Sequence, residues 1–191
     1  MQTYKTLKNN SFQLNGYTVL PLREQDIYKI KDWRNEQMHV LRQKQLLSDE
    51  NQKTYYEKYV IPTFGEEEPK IMLFSFMDNQ EICIGYGGLT NISWLDKRAE
   101  ISFLLNTSRT KNEDTYKNDF SAFLNLMKLI SFRELQFNRL FTETYDIRPL
   151  HISILESSGF VLEGRMKEHV FINGKFVDSL IHGYLKSYYE S

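Results

Sequence analysis

Between about Thr115 and Glu134 the chain places Phe120, Phe123, Leu124, Met127 and Ile130 on one stripe of a long amphipathic helix. Such a stripe must be buried against an apolar surface, and the segments ahead of it supply one. Ile71 to Met77 is a continuous apolar run, Asp78-Asn79-Gln80-Glu81 is a turn, and Ile82 to Trp94 returns with Gly85, Gly87 and Gly88 inside it. Ala99 to Leu105 follows a second turn, Leu95-Asp96-Lys97-Arg98. A three-stranded antiparallel meander covered by one long helix is therefore expected at the centre of the fold.

The flanking segments complete the pattern. Tyr17 to Leu22 reads as an opening strand, and Glu24 to Asn35 carries Ile27, Ile30 and Trp33 at helical spacing. Asp49, three residues before Gln52, reads as a capping box for a second helix with Gln52, Tyr55, Tyr56, Tyr59 and Val60 on one face. After the long helix, Arg139 to Tyr145 is a short strand. Pro149 opens a helix that runs through Leu155 and Glu156, with Gly159 as its stop. Asn173-Gly174 between Val170-Phe171-Ile172 and Phe176-Val177 marks a type I′ hairpin. The order is strand, two helices, three strands, helix, strand, helix, two strands. It implies an α/β fold with a single mixed, mostly antiparallel sheet flanked by helices. With no repeat or long linker, one domain spanning 1–191 is expected, with its core at about 17–186.

Composition narrows the function. Apolar residues make up 41% and charged residues 26% of the chain, as in soluble globular proteins. No apolar run approaches the roughly 20 residues that cross a bilayer. Met1 to Lys8 lacks the apolar core of a secretory signal, so a cytoplasmic location without a membrane partner is expected. The 24 basic and 25 acidic residues nearly balance and form no basic stripe, which argues against a nucleic-acid partner. Cys83, between Ile82 and Ile84, reads as a buried structural thiol. His39, His169 and His182 lack metal-ligand spacing, and no metal is expected.

Several short segments, taken in order, carry a resemblance. They are Asp32-Trp33-Arg34-Asn35, Ile84-Gly85-Tyr86-Gly87-Gly88-Leu89, Arg98 to Leu105, Ile154-Leu155-Glu156 leading to Gly159-Phe160, Glu163-Gly164-Arg165, and Asn173-Gly174-Lys175 with Asp178. From about Tyr17 to Lys186 the chain resembles the GNAT superfamily of N-acetyltransferases, in particular its ribosomal-protein and aminosugar branch. That resemblance implies the acyl-CoA N-acyltransferase fold, whose sheet is splayed at its centre. It also implies acetyl-CoA as co-substrate, with its pantetheine arm beside the backbone of Phe103, Leu104 and Leu105.

Two departures stand out. The family's pyrophosphate site is a glycine-rich turn leading into the long helix, whereas Thr107 to Asp119 contains no glycine. Arg109 and Lys111 remain to hold phosphate, while Glu113 and Asp114 repel it. The loop therefore admits two readings: a longer variant that still binds the cofactor, or weakened coenzyme A binding with another acyl donor or lost catalysis. In the last helix, the family's Asn, Ser and thiolate-protonating Tyr are replaced by Arg148, His151 and Leu155. Arg148 becomes a candidate phosphate ligand, and His151 and Tyr145 become candidate proton donors to sulfur.

Acetyl transfer needs a neutral amine, so a base must take a proton from the ammonium. Glu100 is the first candidate and Glu143 the second, because the two strands that carry them border one cleft. The alternative for Glu100 is an edge carboxylate paired with Arg98 or Lys97. Trp33, Arg34, Asn35, Arg42 and Tyr86 offer stacking surfaces and charged donors for an acceptor. The expected activity is acetyl transfer to a primary amine of a small molecule, with a nucleotide-linked aminosugar favoured, by a monomer or homodimer. A protein N-terminal acetyltransferase and a non-catalytic binding module are the alternatives.

Overall fold

The computed structural model describes residues 2–190. It opens with a hairpin of β1 (Phe12–Leu14) and β2 (Tyr17–Pro21), joined by Asn15 and Gly16 at φ 51° and 83°. These angles are those of a type I′ turn. β1 lies outside the strand expected from sequence. Helix α1 (Ile27–Glu36) buries Ile27, Ile30 and Trp33, and α2 (Asp49–Tyr55) follows. The cap of α2 is Ser48 rather than Asp49. The Ser48 hydroxyl accepts from the Asn51 N–H at 3.1 Å, and the Asn51 side chain accepts from the Ser48 N–H at 3.2 Å.

The meander is β3 (Met72–Met77), β4 (Cys83–Ser93) and β5 (Arg98–Leu105). Helix α3 (Glu113–Leu129) covers it and ends in a wider turn over Ile130–Glu134. Phe103 and Phe123 have centroids 4.7 Å apart, and Phe76 meets Phe123 edge to face at 5.4 Å. Phe123 is fully buried, which stabilises the fold by about 2–3 kcal/mol. Gly87 permits this approach, because a Cβ there would lie 2.1 Å from the Ser102 carbonyl oxygen and 2.8 Å from the Phe123 ring.

The chain continues through β6 (Arg139–Tyr145), α4 (Pro149–Ser157), β7 (Val161–Ile172), β8 (Lys175–Leu185) and a last turn, α5 (Lys186–Glu190). The eight strands form one sheet in the order β1-β2-β3-β4-β5-β6-β8-β7. Every neighbouring pair is antiparallel except β5 with β6, so the sheet is mixed and mostly antiparallel, as expected.

The β5–β6 pair positions the site. Its parallel register covers only Arg98↔Arg139, Ala99↔Leu140 and Glu100↔Phe141. Beyond Glu100, β5 stays paired with β4 up to Leu105, and β6 stays paired with β8 up to Tyr145. The two inner edges therefore diverge into a wedge, and the backbone groups along them have no neighbouring strand to bond.

Candidate active site

The wedge opens into a cavity of about 330 Å³, lined by Arg34, Arg42, Glu100, Phe103, Glu143, Tyr145, Arg148 and His151 among others. Residues far apart in sequence meet there because β5 and β6 part immediately after Glu100. A second cavity of about 290 Å³ adjoins it, lined by Gln37, Thr107, Thr110 and Tyr116, and sharing Val40, Arg148 and His151 with the first.

Glu100 is 5% exposed and does not pair with Lys97 or Arg98, since Arg98 reaches Asp96 instead. Its carboxylate accepts from Arg42 Nη2 at 2.8 Å and from Asn91 Nδ2 at 2.5 Å. Asn91 is turned onto it by a bulge in β4 between Thr90 and Ser93, where Asn91 takes φ 47°. Arg42 Nη2 also reaches Glu143 Oε2 at 2.6 Å, so one guanidinium ties both carboxylates together. Glu143 Oε1 accepts from Ser179 Oγ at 2.7 Å. Burial raises the Tyr145 phenol above its ordinary value, and the nearby Arg42 opposes that rise.

Also lining this cavity, His151 stacks on Phe120 with ring centroids 4.1 Å apart. Burial, and then the positive Arg148, hold His151 well below the ordinary imidazole range, so it is neutral at pH 7. Its Nδ1 lies 2.7 Å from the Tyr116 hydroxyl, which also accepts from Arg148 Nη2 at 3.0 Å.

The remaining sequence candidates lie outside these cavities. Trp33 is in the core. Asn35 holds the coil that carries Arg42, accepting from the Leu47 N–H and from Gln43 Nε2, each at 2.9 Å. Tyr86 is buried against Arg34, whose Nη1 donates to its hydroxyl at 2.5 Å. The Leu104 and Leu105 side chains are buried in the core and line neither cavity, whereas Phe103 lines the first. Gln37 Nε2 donates to the Leu105 carbonyl at 2.8 Å and to Thr107 Oγ1 at 3.0 Å.

Arg109 is turned away from both cavities. It is held by two hydrogen bonds, 2.6 and 2.9 Å, to the buried Asp119, which also accepts from the Tyr17 hydroxyl. Lys111 is exposed at the end of a short turn over Arg109–Lys111. That turn takes up several of its own donors: Ser108 N–H bonds Asn106 Oδ1, Arg109 N–H bonds the Asn106 carbonyl, and Thr110 N–H bonds the Thr107 carbonyl. Asn112 caps α3 by accepting from the Thr115 N–H. Cys83 is buried as expected; its thiol is pushed up to about 12 by burial and donates to the Gly85 carbonyl.

Sequence reasoning missed Tyr116, Gln37, Asn91 and Ser179. Tyr116 precedes Phe120 by one helical turn, and that spacing alone marks it as part of the buried stripe.

The chain also resembles known proteins. A spermidine N-acetyltransferase from Vibrio cholerae, solved in complex with CoA and spermine, superposes with a TM-score of 0.79 at 21% identity, covering 93% of this chain and 100% of that one. A chimera of that enzyme with hSSAT superposes equally well, at 0.79 and 21%, covering 93% and 99% of the two chains. A dodecameric structure of the Vibrio cholerae enzyme gives 0.71 at 20% identity, covering 92% and 97%. At this identity the likeness is one of fold. No curated protein sequence matches significantly. The acetyltransferase (GNAT) domain family matches residues 20–181, a span that includes the splayed strands and both cavities, and the chain therefore belongs to that family of N-acetyltransferases.

Proposed function

We propose that the protein moves an acetyl group from acetyl-CoA to the primary amine of a small molecule by direct attack. The observation that carries this reading is the wedge between β5 and β6, where an open strand edge and two carboxylates meet in one cavity. Acetyl-CoA supplies the thioester that the amine attacks. The backbone of Phe103, Leu104 and Leu105 would hold its pantetheine arm, and Lys111 and Arg148 would meet its phosphates. Arg109 would join them only by leaving Asp119.

Glu100 and Glu143 would take the proton of the acceptor ammonium, directly or through a water molecule. Arg42 now bridges these carboxylates, and an ammonium that displaced it would find both. This supports an acceptor with more than one positive charge, a linear polyamine for example, which is the class named for the similar Vibrio cholerae enzyme. A second reading, a nucleotide-linked aminosugar, is supported by Arg34, which lines the cavity and whose guanidinium suits a phosphate.

The test is thiol release from acetyl-CoA with a panel of polyamines, nucleotide-linked aminosugars and peptide N-termini, each product confirmed by mass. Release that depends on a polyamine supports the first reading. Release only with the aminosugars selects the second, and none with any amine overturns both.

A further inference from the structure

The contacts around Tyr116 determine which nitrogen of His151 carries the proton. Arginine can only donate, so in the Arg148–Tyr116 contact the phenolic oxygen accepts. The phenol has one hydrogen, and among the described residues His151 Nδ1 is its other partner, at 2.7 Å. Tyr116 is 6% exposed, and withholding its hydrogen there would leave a buried donor unsatisfied. The arrangement that satisfies every group is Arg148 to Tyr116 oxygen, then Tyr116 O–H to Nδ1. The His151 proton then sits on Nε2. That nitrogen has no hydrogen-bond partner among the described residues and, unlike both nitrogens of His182, is not sealed from solvent.

We infer that Arg148, Tyr116 and His151 form a proton relay that serves the departing thiolate in place of a tyrosine on α4. This rests on the acetyl-transfer reading above. As the C–S bond of the thioester breaks, its electron pair stays on sulfur, and sulfur takes the Nε2 proton of His151. A neutral imidazole can release that proton only if its other nitrogen gains one, and Nδ1 takes the phenolic proton of Tyr116. The phenolate left behind faces the Arg148 guanidinium, a charge-assisted pair. The acceptor's proton leaves on the other side, through Glu100 and Glu143, and solvent restores the Tyr116 phenol after products depart. The net transfer runs from a phenol, ordinarily near 10, to a thiol, ordinarily near 8.5. Burial raises the Tyr116 phenol further, and Arg148 is the group that lowers it.

In this scheme His151 is the group that meets sulfur, while Tyr116 and Arg148 act through it. The first test needs no turnover: nitrogen-15 NMR of the His151 side chain at pH 7, in the full chain and in Tyr116→Phe. The Nε2–H tautomer is expected in the native protein, with a shift toward Nδ1–H in the variant. A native Nδ1–H tautomer overturns the relay, and decides the matter alone if the variant does not fold. The second test is a proton inventory on kcat. A bowed dependence on deuterium content is expected natively, with a linear one in Tyr116→Phe and a kcat about 100-fold lower. Equal kcat in the folded variant overturns the relay. Calorimetric titration of the native protein with acetyl-CoA separates the two claims, because absent binding removes the acetyl-transfer reading whichever tautomer is found.

Discussion

Glu100 is a carboxylate placed where two strands part, 5% exposed and held by Arg42 and Asn91. Removing its charge while keeping its shape should lower kcat by about 10²–10⁴ if it is the base. Glu100→Gln assayed with acetyl-CoA and the best amine checks this, with Glu143→Gln as comparison; a drop confined to Glu143→Gln would move the base to β6. Arg42 is half exposed and competes with the acceptor for the same two carboxylates. Arg42→Ala should therefore lower the KM for a polycationic amine several-fold, and a raised KM would mean that Arg42 binds the acceptor instead. The placing of Glu100 and Glu143 on one cleft was legible in the sequence because each stands on a strand whose period is clear, whereas Arg42 lies in coil after α1 and was marked only by its charge. Tyr116, Gln37 and Ser179 were not, because their roles arise only once the wedge exists and no local pattern encodes it. Asn91 was hidden for another reason: a bulge turns it toward Glu100, and a bulge has no strong signature in a single sequence.

Among the elements, the long helix and the last hairpin fall where their patterns place them, whereas Tyr55 and Tyr59, expected on the buried face of the second helix, are exposed because α2 ends at Tyr55 and a wider turn follows. β6 falls at Arg139–Tyr145 as expected, and Asn173-Gly174 takes φ 50° and 79° as a type I′ turn requires. The same dipeptide at Asn15-Gly16 went unread because β1 is only three residues long and offers little alternation to notice. The cap of α2 was misplaced by one residue because Asp49 and Ser48 are both good caps, and only geometry separates them. Ser48→Ala should destabilise the protein by about 1 kcal/mol in denaturant unfolding, whereas Asp49→Ala should cost much less. Equal losses would contradict the observed cap. The loop before α3 shows why a missing glycine did not settle the phosphate site. Its turn takes up much of its own backbone, and Arg109 serves Asp119 rather than the cavities.

At the scale of the molecule, α3 ties the sheet to α4 through Lys128. Its ammonium is buried, donates to the Ser158 carbonyl at 2.6 Å and sits 4.2 Å above the Tyr184 ring. Burial lowers it to about 8, while the carbonyl and the ring favour its charged form. Because the folded value lies below the unfolded value near 10.4, the unfolded chain binds more protons between those limits. Stability should thus rise with pH from about 8 to 10, by roughly 1–2 kcal/mol. Denaturant unfolding should show this rise in the native protein and not in Lys128→Met, and an equal rise in both would assign it to other groups. Among the described residues no helix is long and apolar enough to cross a membrane. On the proposed reading, the wedge between β5 and β6 receives the acetyl donor. The most direct measurement is calorimetric titration of acetyl-CoA into the native protein and into Ser102→Trp, whose indole would fill the wedge where Ser102 lines it. Micromolar binding by the native protein, lost in a variant with an unchanged melting temperature, is the predicted result. Binding that survives the indole, or no binding at all, would contradict it.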